Sequence, residues 1–269
     1  MAPQTFGDLL DILLCLSPFF LGTLGLLVLG ILLIWLIYRQ RQPKGAATLA
    51  HERRVMRARL EDMRANLRPW SDAGLTDLST DWNAHWSRLG RDLSAYGTIL
   101  STSEPKGPPW VAFALKIRGA RALDGQLLAC TTAQTWEYRI TPEGVSVQVD
   151  GSPWGRVLPD GTLLDAAGQP IGSAPRPGGL PAMLRMSNLA YLHDRREREY
   201  PVTLGGRLVG HLANPAARML NIIPLKKREF PPAVTLKGAV TYEERNWLLA
   251  LAILQVAGYN LLETVWTNR

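Results

Sequence analysis

The sequence predicts an α+β, membrane-anchored protein: one N-terminal transmembrane helix, a cytoplasmic helical hairpin, then an antiparallel β-rich barrel or sandwich closed by a buried hydrophobic C-terminal helix. Three observations predict it. Residues 18–38 carry no charge and are followed at once by Arg39, Arg41 and Lys44. Residues 48–100 show apolar positions at three- and four-residue spacing. Beyond residue 110 the pattern shifts to short alternating runs with turn signals about every ten residues.

The first seventeen residues read as a short extracytoplasmic or interfacial lead, either a helix from Asp8 to Leu16 or a loop. Ser17 is placed to cap the next helix and Pro18 to start it, where a missing N–H is harmless. At 1.5 Å per residue, residues 18–38 give a helix of roughly 30 Å, the thickness of a bilayer core. Gly22, Gly25 and Gly30 would permit close packing of another helix on it. Trp35 and Tyr38, with Arg39 and Arg41, read as interfacial anchors. Cations follow the apolar run and none precedes it, so the positive-inside rule sets the N-terminus outside and the remainder in the cytoplasm of a single-pass protein of the cell membrane. The reversed flank also argues against a cleaved signal peptide. Cys15 and Cys130 are the only cysteines and lie far apart, so no disulfide is expected.

The net charge of +7 is unevenly placed. Nine cations stand against Glu52, Glu61 and Asp62 between Arg39 and Arg68. A basic linker at 39–47 thus leads into a basic helix in which Arg53, Arg54, Arg57 and Arg59 surround an apolar stripe of Met56, Leu60, Met63 and Leu67. Such a juxtamembrane cluster suits anionic lipid headgroups, or simply enforces topology; a nucleic-acid footprint would spread over a whole domain. Leu78, Trp82, Trp86, Leu89, Leu93 and Tyr96 continue the spacing and predict the second arm of a helical hairpin over 48–100.

Residues 101–109, rich in Ser, Pro and Gly, read as a linker, and the β-rich domain follows over 110–240. Strands are expected at 110–118, 126–131, 135–141, 145–149, 200–204, 207–212, 219–223 and 233–236. Within it, 151–157, 168–174 and 206–212 share the form Gly-x-x-apolar-Gly-x-apolar. The first Gly of each is expected to supply the positive φ of a hairpin turn, and the second to let the returning strand bend or bulge. Thr241 and Glu244 form a capping box for a C-terminal helix over 241–269 that is apolar almost all round. A helix with no polar face lies in a core or in a membrane; its short apolar stretch, with Gln255 and Asn260 inside, favours the core over a second span.

The hairpins at Gly168 to Ala174 and Gly206 to Leu212, with the capped helix from Glu243 to Leu262, resemble the tubby-like group, which includes phospholipid scramblases and LURP-one-related proteins. That resemblance covers roughly Trp110 to Leu262 and implies a β-barrel closed around a C-terminal helix. The group's scramblases carry their membrane helix at the C-terminus, unlike this chain. No binding residue transfers, because no specific motif is shared.

Catalytic signatures do not appear. His51, His85, His193 and His211 are dispersed without ligand spacing, and no phosphate-binding loop, dinucleotide fingerprint or nucleophile elbow is present. The expectation is therefore a non-enzymatic protein with no cofactor or bound metal. It would act as an accessory subunit or scaffold of a membrane complex, with the lipid bilayer and integral membrane proteins as partners and no nucleic acid. The alternative is an anionic-lipid-binding or scramblase-like tubby-type protein.

Overall fold

The computed structural model describes residues 22–35, 38, 46–89, 92–118, 124–175, 199–213 and 230–266. The chain divides into two compact units, Met1–Ala50 and His51–Arg269. Residues 22–35 are helical (α1), and α2 runs over Ala46–Arg64. The short α3 (Ala73–Asp77) leads into twelve strands: β1 (Leu78–Leu89), β2 (Asp92–Ser101), β3 (Val111–Arg118), β4 (Asp124–Cys130), β5 (Thr135–Thr141), β6 (Gly144–Val149), β7 (Ser152–Val157), β8 (Thr162–Asp165), β9 (Pro170–Ser173), β10 (Glu199–Leu204), β11 (Arg207–Ala213) and β12 (Val234–Leu236). Helix α4 (Tyr242–Trp266) ends the fold.

Each strand pairs with its sequence neighbours, every pair antiparallel, giving one sheet in the order β1 to β12. Its two ends approach each other: Ser79 bridges Pro232, and the Thr80 N–H donates to the Pro231 carbonyl at 3.2 Å. The result is a nearly closed antiparallel barrel of twelve strands. Closure matters because it removes the unpaired edges that an open sheet would expose. The barrel's interior holds α4. From Asn246 to Ala257 every residue of this helix is buried, and the inward residues of the strands, including Phe113, Leu115, Leu127, Trp136, Tyr138 and Ile140, pack with it in one core. The Tyr138 hydroxyl donates to the Ala250 carbonyl at 2.9 Å, which satisfies the polar end of a fully buried ring.

The glycine repeat performs as its pattern predicts. Gly151, Gly168 and Gly206 all have positive φ. A Cβ at Gly155, Gly172 or Gly210 would sit 2.2, 2.0 or 2.7 Å from a carbonyl oxygen of the neighbouring strand. Glycine is needed at these three places because two backbones approach closer than any side chain allows. At Gly155 the ring of Trp247 occupies the space a side chain would need.

The expected α+β class with its span and helical hairpin is overturned: the protein is mostly β, with few helices. Among the described residues no helix is long and apolar enough to cross a membrane. Residues 22–35 account for roughly 21 Å of helix, less than a bilayer core. Residues 18–21, 36 and 37, which the expected span also includes, lie outside the described residues, as do Arg39, Arg41 and the lead at 1–17. The second arm of the hairpin is instead the β1–β2 pair, in register from Trp82 opposite Ile99 to Leu89 opposite Asp92. A spacing of four fits a strand's period of two as well as a helix's 3.6. Leu78, Trp82 and Ala84 alternate with Ser79, Asp81 and Asn83, and the inward residues of β2 are Ala95, Gly97 and Ile99. Ser, Thr, Asn and Trp are also weak helix formers, and Thr and Trp favour strands. The strand expected at 219–223 lies outside the described residues.

Candidate functional site

Two sets of residues on the described helices were expected to make contacts, and the structure treats each differently. The first is the glycine set on α1. A Cβ built at Gly22, Gly25 or Gly30 meets nothing within 4 Å among the described residues. The apolar residues around them are exposed on every side. Leu26, Leu27, Val28 and Leu29 are 71, 59, 54 and 54 % exposed, and four consecutive helical residues at 100° each sample the whole circumference. Trp35 and Tyr38 are exposed as well.

The second set is the arginines of α2. Seen from the barrel, this helix lies on the outer face of β3 and β4, where small residues leave a shallow bed: Met56, Leu60 and Leu67 bury themselves against Ala112, Ala114, Leu128 and Cys130. Burial pushes the Cys130 thiol up to about 11, so it is a packed group and not a nucleophile. Ion pairs frame the bed. Glu52 pairs with Lys116 at 2.9 Å and with Arg118, Arg57 pairs with Glu137 at 2.5 Å, and an Arg64 guanidinium N–H donates to the Thr132 carbonyl at 3.0 Å. Arg59 lies over the ring of Tyr96, 4.5 Å from its centroid. Arg57 and Arg59 therefore hold the helix to the wall. Arg53 and Arg54 are exposed and have no ion-pair partner among the described residues.

The outer wall also carries cations that sequence reading did not single out. Register places Lys116, Gln126, Arg139, Ser146 and Arg156 side by side across β3 to β7. All face outward, because their neighbours Leu115, Leu127, Tyr138, Val147 and Val157 face the core. Glu52 takes Lys116. Arg139 and Arg156 have no carboxylate partner among the described residues, and the Nε of Arg156 is buried without a hydrogen bond. The signal that finds them is alternation: once Tyr138 and Val157 are placed inward, Arg139 and Arg156 must point out.

A cleft of about 830 Å³ opens at the end of the barrel where α4 begins, lined by Ser173, Thr203, Gly205, Gly206, Glu243 and Trp247 among others. Its rim is the capping box, in which the Thr241 N–H donates to Glu244 at 2.7 Å and the Glu244 N–H to the Thr241 hydroxyl at 3.2 Å. Burial works to raise the Glu244 carboxyl, but the hydrogen bonds from Thr241 and the charge of Arg207, 2.6 Å away, outweigh it and hold it below the usual range. These groups brace the helix start. Among the described residues no group of three or more His, Cys, Asp or Glu is placed to hold a metal ion. No protein-family model, curated protein or solved structure matches the chain.

Proposed function

We propose that the protein works at the cell membrane as a non-enzymatic accessory subunit or scaffold, with the barrel serving as a docking body on the cytoplasmic side. The observation that supports this reading is the absence of charge among residues 22–35, followed by Arg39, Arg41 and Lys44. A partner protein would cover one stripe of a helix; an environment apolar all round is lipid. The cations that follow suit the cytoplasmic leaflet, where anionic lipids concentrate. The barrel's lumen is filled by α4, so the surfaces left for partners, integral membrane proteins among them, are on its outside.

Flotation of the full chain with neutral phosphatidylcholine vesicles tests the lipid step. Flotation that persists in high salt is expected, and its loss in a Leu27→Asp, Ile31→Asp variant. A chain that stays monodisperse and unbound without detergent would remove the reading. Co-purification of integral proteins at stoichiometric levels in mild detergent tests the scaffold step.

A second reading, an anionic-lipid-binding or scramblase-like protein of tubby type, is favoured by one specific observation. The nearly closed twelve-stranded barrel around a buried helix is compatible with a tubby-like barrel, and it leaves Arg53 and Arg54 exposed beside it. Under this reading, phosphatidylserine raises vesicle affinity in low salt, and Arg53→Gln with Arg54→Gln abolishes that increment.

A further inference from the structure

We infer that the barrel's interior contains a hydration site, in which the indole N–H of Trp136 on β5 and the carboxamide N–H of Asn246 on α4 both donate to one buried water molecule. Both residues are shut away from solvent, Trp136 being 0 % exposed and Asn246 5 %. Neither Trp136 Nε1 nor Asn246 Nδ2 has an acceptor among the described residues. A buried donor without an acceptor is rare in a native structure, and two of them on facing elements point to one group that accepts from both.

Two hydrogen bonds bracket the pair and set its level. At one end the Gln134 Nε2–H donates to the Tyr242 hydroxyl at 2.8 Å, and at the other the Tyr138 hydroxyl donates to the Ala250 carbonyl at 2.9 Å. From Gln134 to Tyr138 the strand advances roughly 13 Å, and from Tyr242 to Ala250 the helix advances roughly 12 Å. The two elements keep pace, so their midpoints, Trp136 and Asn246, come level. Tyr242, Asn246 and Ala250 form an i, i+4, i+8 row on one helix face, and Trp136 shares the inward face of β5 with Tyr138. Across the sheet Trp136 stands between Ala129 of β4 and Val149 of β6, neither of which brings an acceptor side chain. Water suits the place better than an anion does. Glu243 and Glu244 stand in the turn just before Asn246, and a buried anion beside them would lack a countercharge. A water is neutral and accepts both N–H bonds on its two lone pairs. The bridge also fixes the rotation of α4 in the barrel, since apolar packing is non-directional. The site does not rest on the membrane reading and can fail while that one stands.

The test is NMR of the full chain in dodecyl maltoside, isotope-labelled at nitrogen in tryptophan and asparagine. Trp136→Phe identifies its indole signal among the nine tryptophans, and Asn246→Leu identifies the carboxamide. A rotating-frame Overhauser cross-peak to water, with the sign of a dipolar contact, is expected at the Trp136 indole proton of the natural chain, and a matching one at the Asn246 carboxamide. Asn246→Leu, which keeps the volume and removes the donor, should abolish the first. Trp136→Phe should weaken the second, which gives a reading from the other side of the site should either variant fail to fold. Tyr138→Phe should leave both in place, which separates them from a signal relayed through that hydroxyl. The inference is overturned if the Trp136 indole of the natural chain shows no contact with water, the result expected when the carboxamide oxygen takes the indole N–H directly. It is overturned equally if the contact persists in Asn246→Leu with the other indole signals in place, because other groups would then be holding the water.

Discussion

Two helices touch the same three strands from opposite sides, and they are held by different physics. Inside, α4 meets Phe113, Leu115, Leu127 and Tyr138, large buried side chains with one hydroxyl-to-carbonyl bond. Outside, α2 meets Ala112, Ala114, Leu128 and Cys130, a bed of mostly small residues edged by ion pairs. Alternation along β3 sends even-numbered residues to one helix and odd-numbered ones to the other. The inner helix is therefore part of what makes the barrel fold. The outer one is a strap whose hold depends on a few apolar contacts and on solvent-accessible charge.

The largest expected effect breaks the inner contact. Trp247→Ala removes a fully buried ring that fills the space beside Gly155. It should destabilise the fold by about 4 kcal/mol in urea unfolding. A loss below about 1 kcal/mol would mean that α4 is not structurally part of the barrel. Next comes the outer helix. Leu60→Ala should cost about 2 kcal/mol, since its bed is shallow and collapses more readily than a deep core. Amide exchange should separate the two cases: Leu60→Ala speeds exchange in α2 and leaves β3 and β4 protected, whereas Trp247→Ala speeds it throughout the barrel.

A third anchor tests a half-buried carboxylate held by several hydrogen bonds. Asp77, at the end of α3, accepts hydrogen bonds from Trp110 Nε1 at 2.8 Å, from the Ser101 hydroxyl and from the Ser103 N–H at 2.8 Å. Burial works to raise its carboxyl, and these bonds together outweigh it and hold it below the ordinary value. A depressed carboxyl contributes stability that is present above the ordinary aspartate range, about pH 4, and is lost as pH falls through the folded value. Asp77→Asn should cost roughly 1.5 kcal/mol at pH 7 and flatten the acid limb of the stability curve. An unchanged acid limb would show that other carboxylates set it.

How much of this was legible follows from which signals have a single meaning. Turn glycines have one: Gly151, Gly168 and Gly206 mark positive φ wherever they stand, and their partners Gly155, Gly172 and Gly210 mark close backbones. The capping box at Thr241 and Glu244 was equally plain. Leu78 to Tyr96 was not, because four-residue spacing is common to helix and strand, and the three-residue steps at Leu89 and Tyr96 tipped the reading wrongly. Tyr96 faces α2, not the core. Among the arginines of α2, sequence could place the helix but not the wall opposite. Only register puts Glu137 and Tyr96 where Arg57 and Arg59 are spent, and Arg139 beside Arg156 where no carboxylate answers.

The smallest expected effect is the most direct probe of the strap. The Arg57 side chain is 55 % exposed and that of Glu137 17 %, so the pair sits on the border between a surface bridge and a shielded one. A double-mutant cycle with Arg57→Gln and Glu137→Gln should give a coupling of about 0.5 kcal/mol, within the range of exposed pairs. It should shrink further in 1 M salt, where the screening length falls to about 3 Å. The same cycle on Tyr138→Phe and Leu60→Ala, whose side chains lie on opposite faces of the sheet, should show no coupling and no salt dependence. A salt-insensitive Arg57–Glu137 coupling above about 2 kcal/mol would place that pair with the buried anchors, and α2 would then belong to the fold as firmly as α4 does.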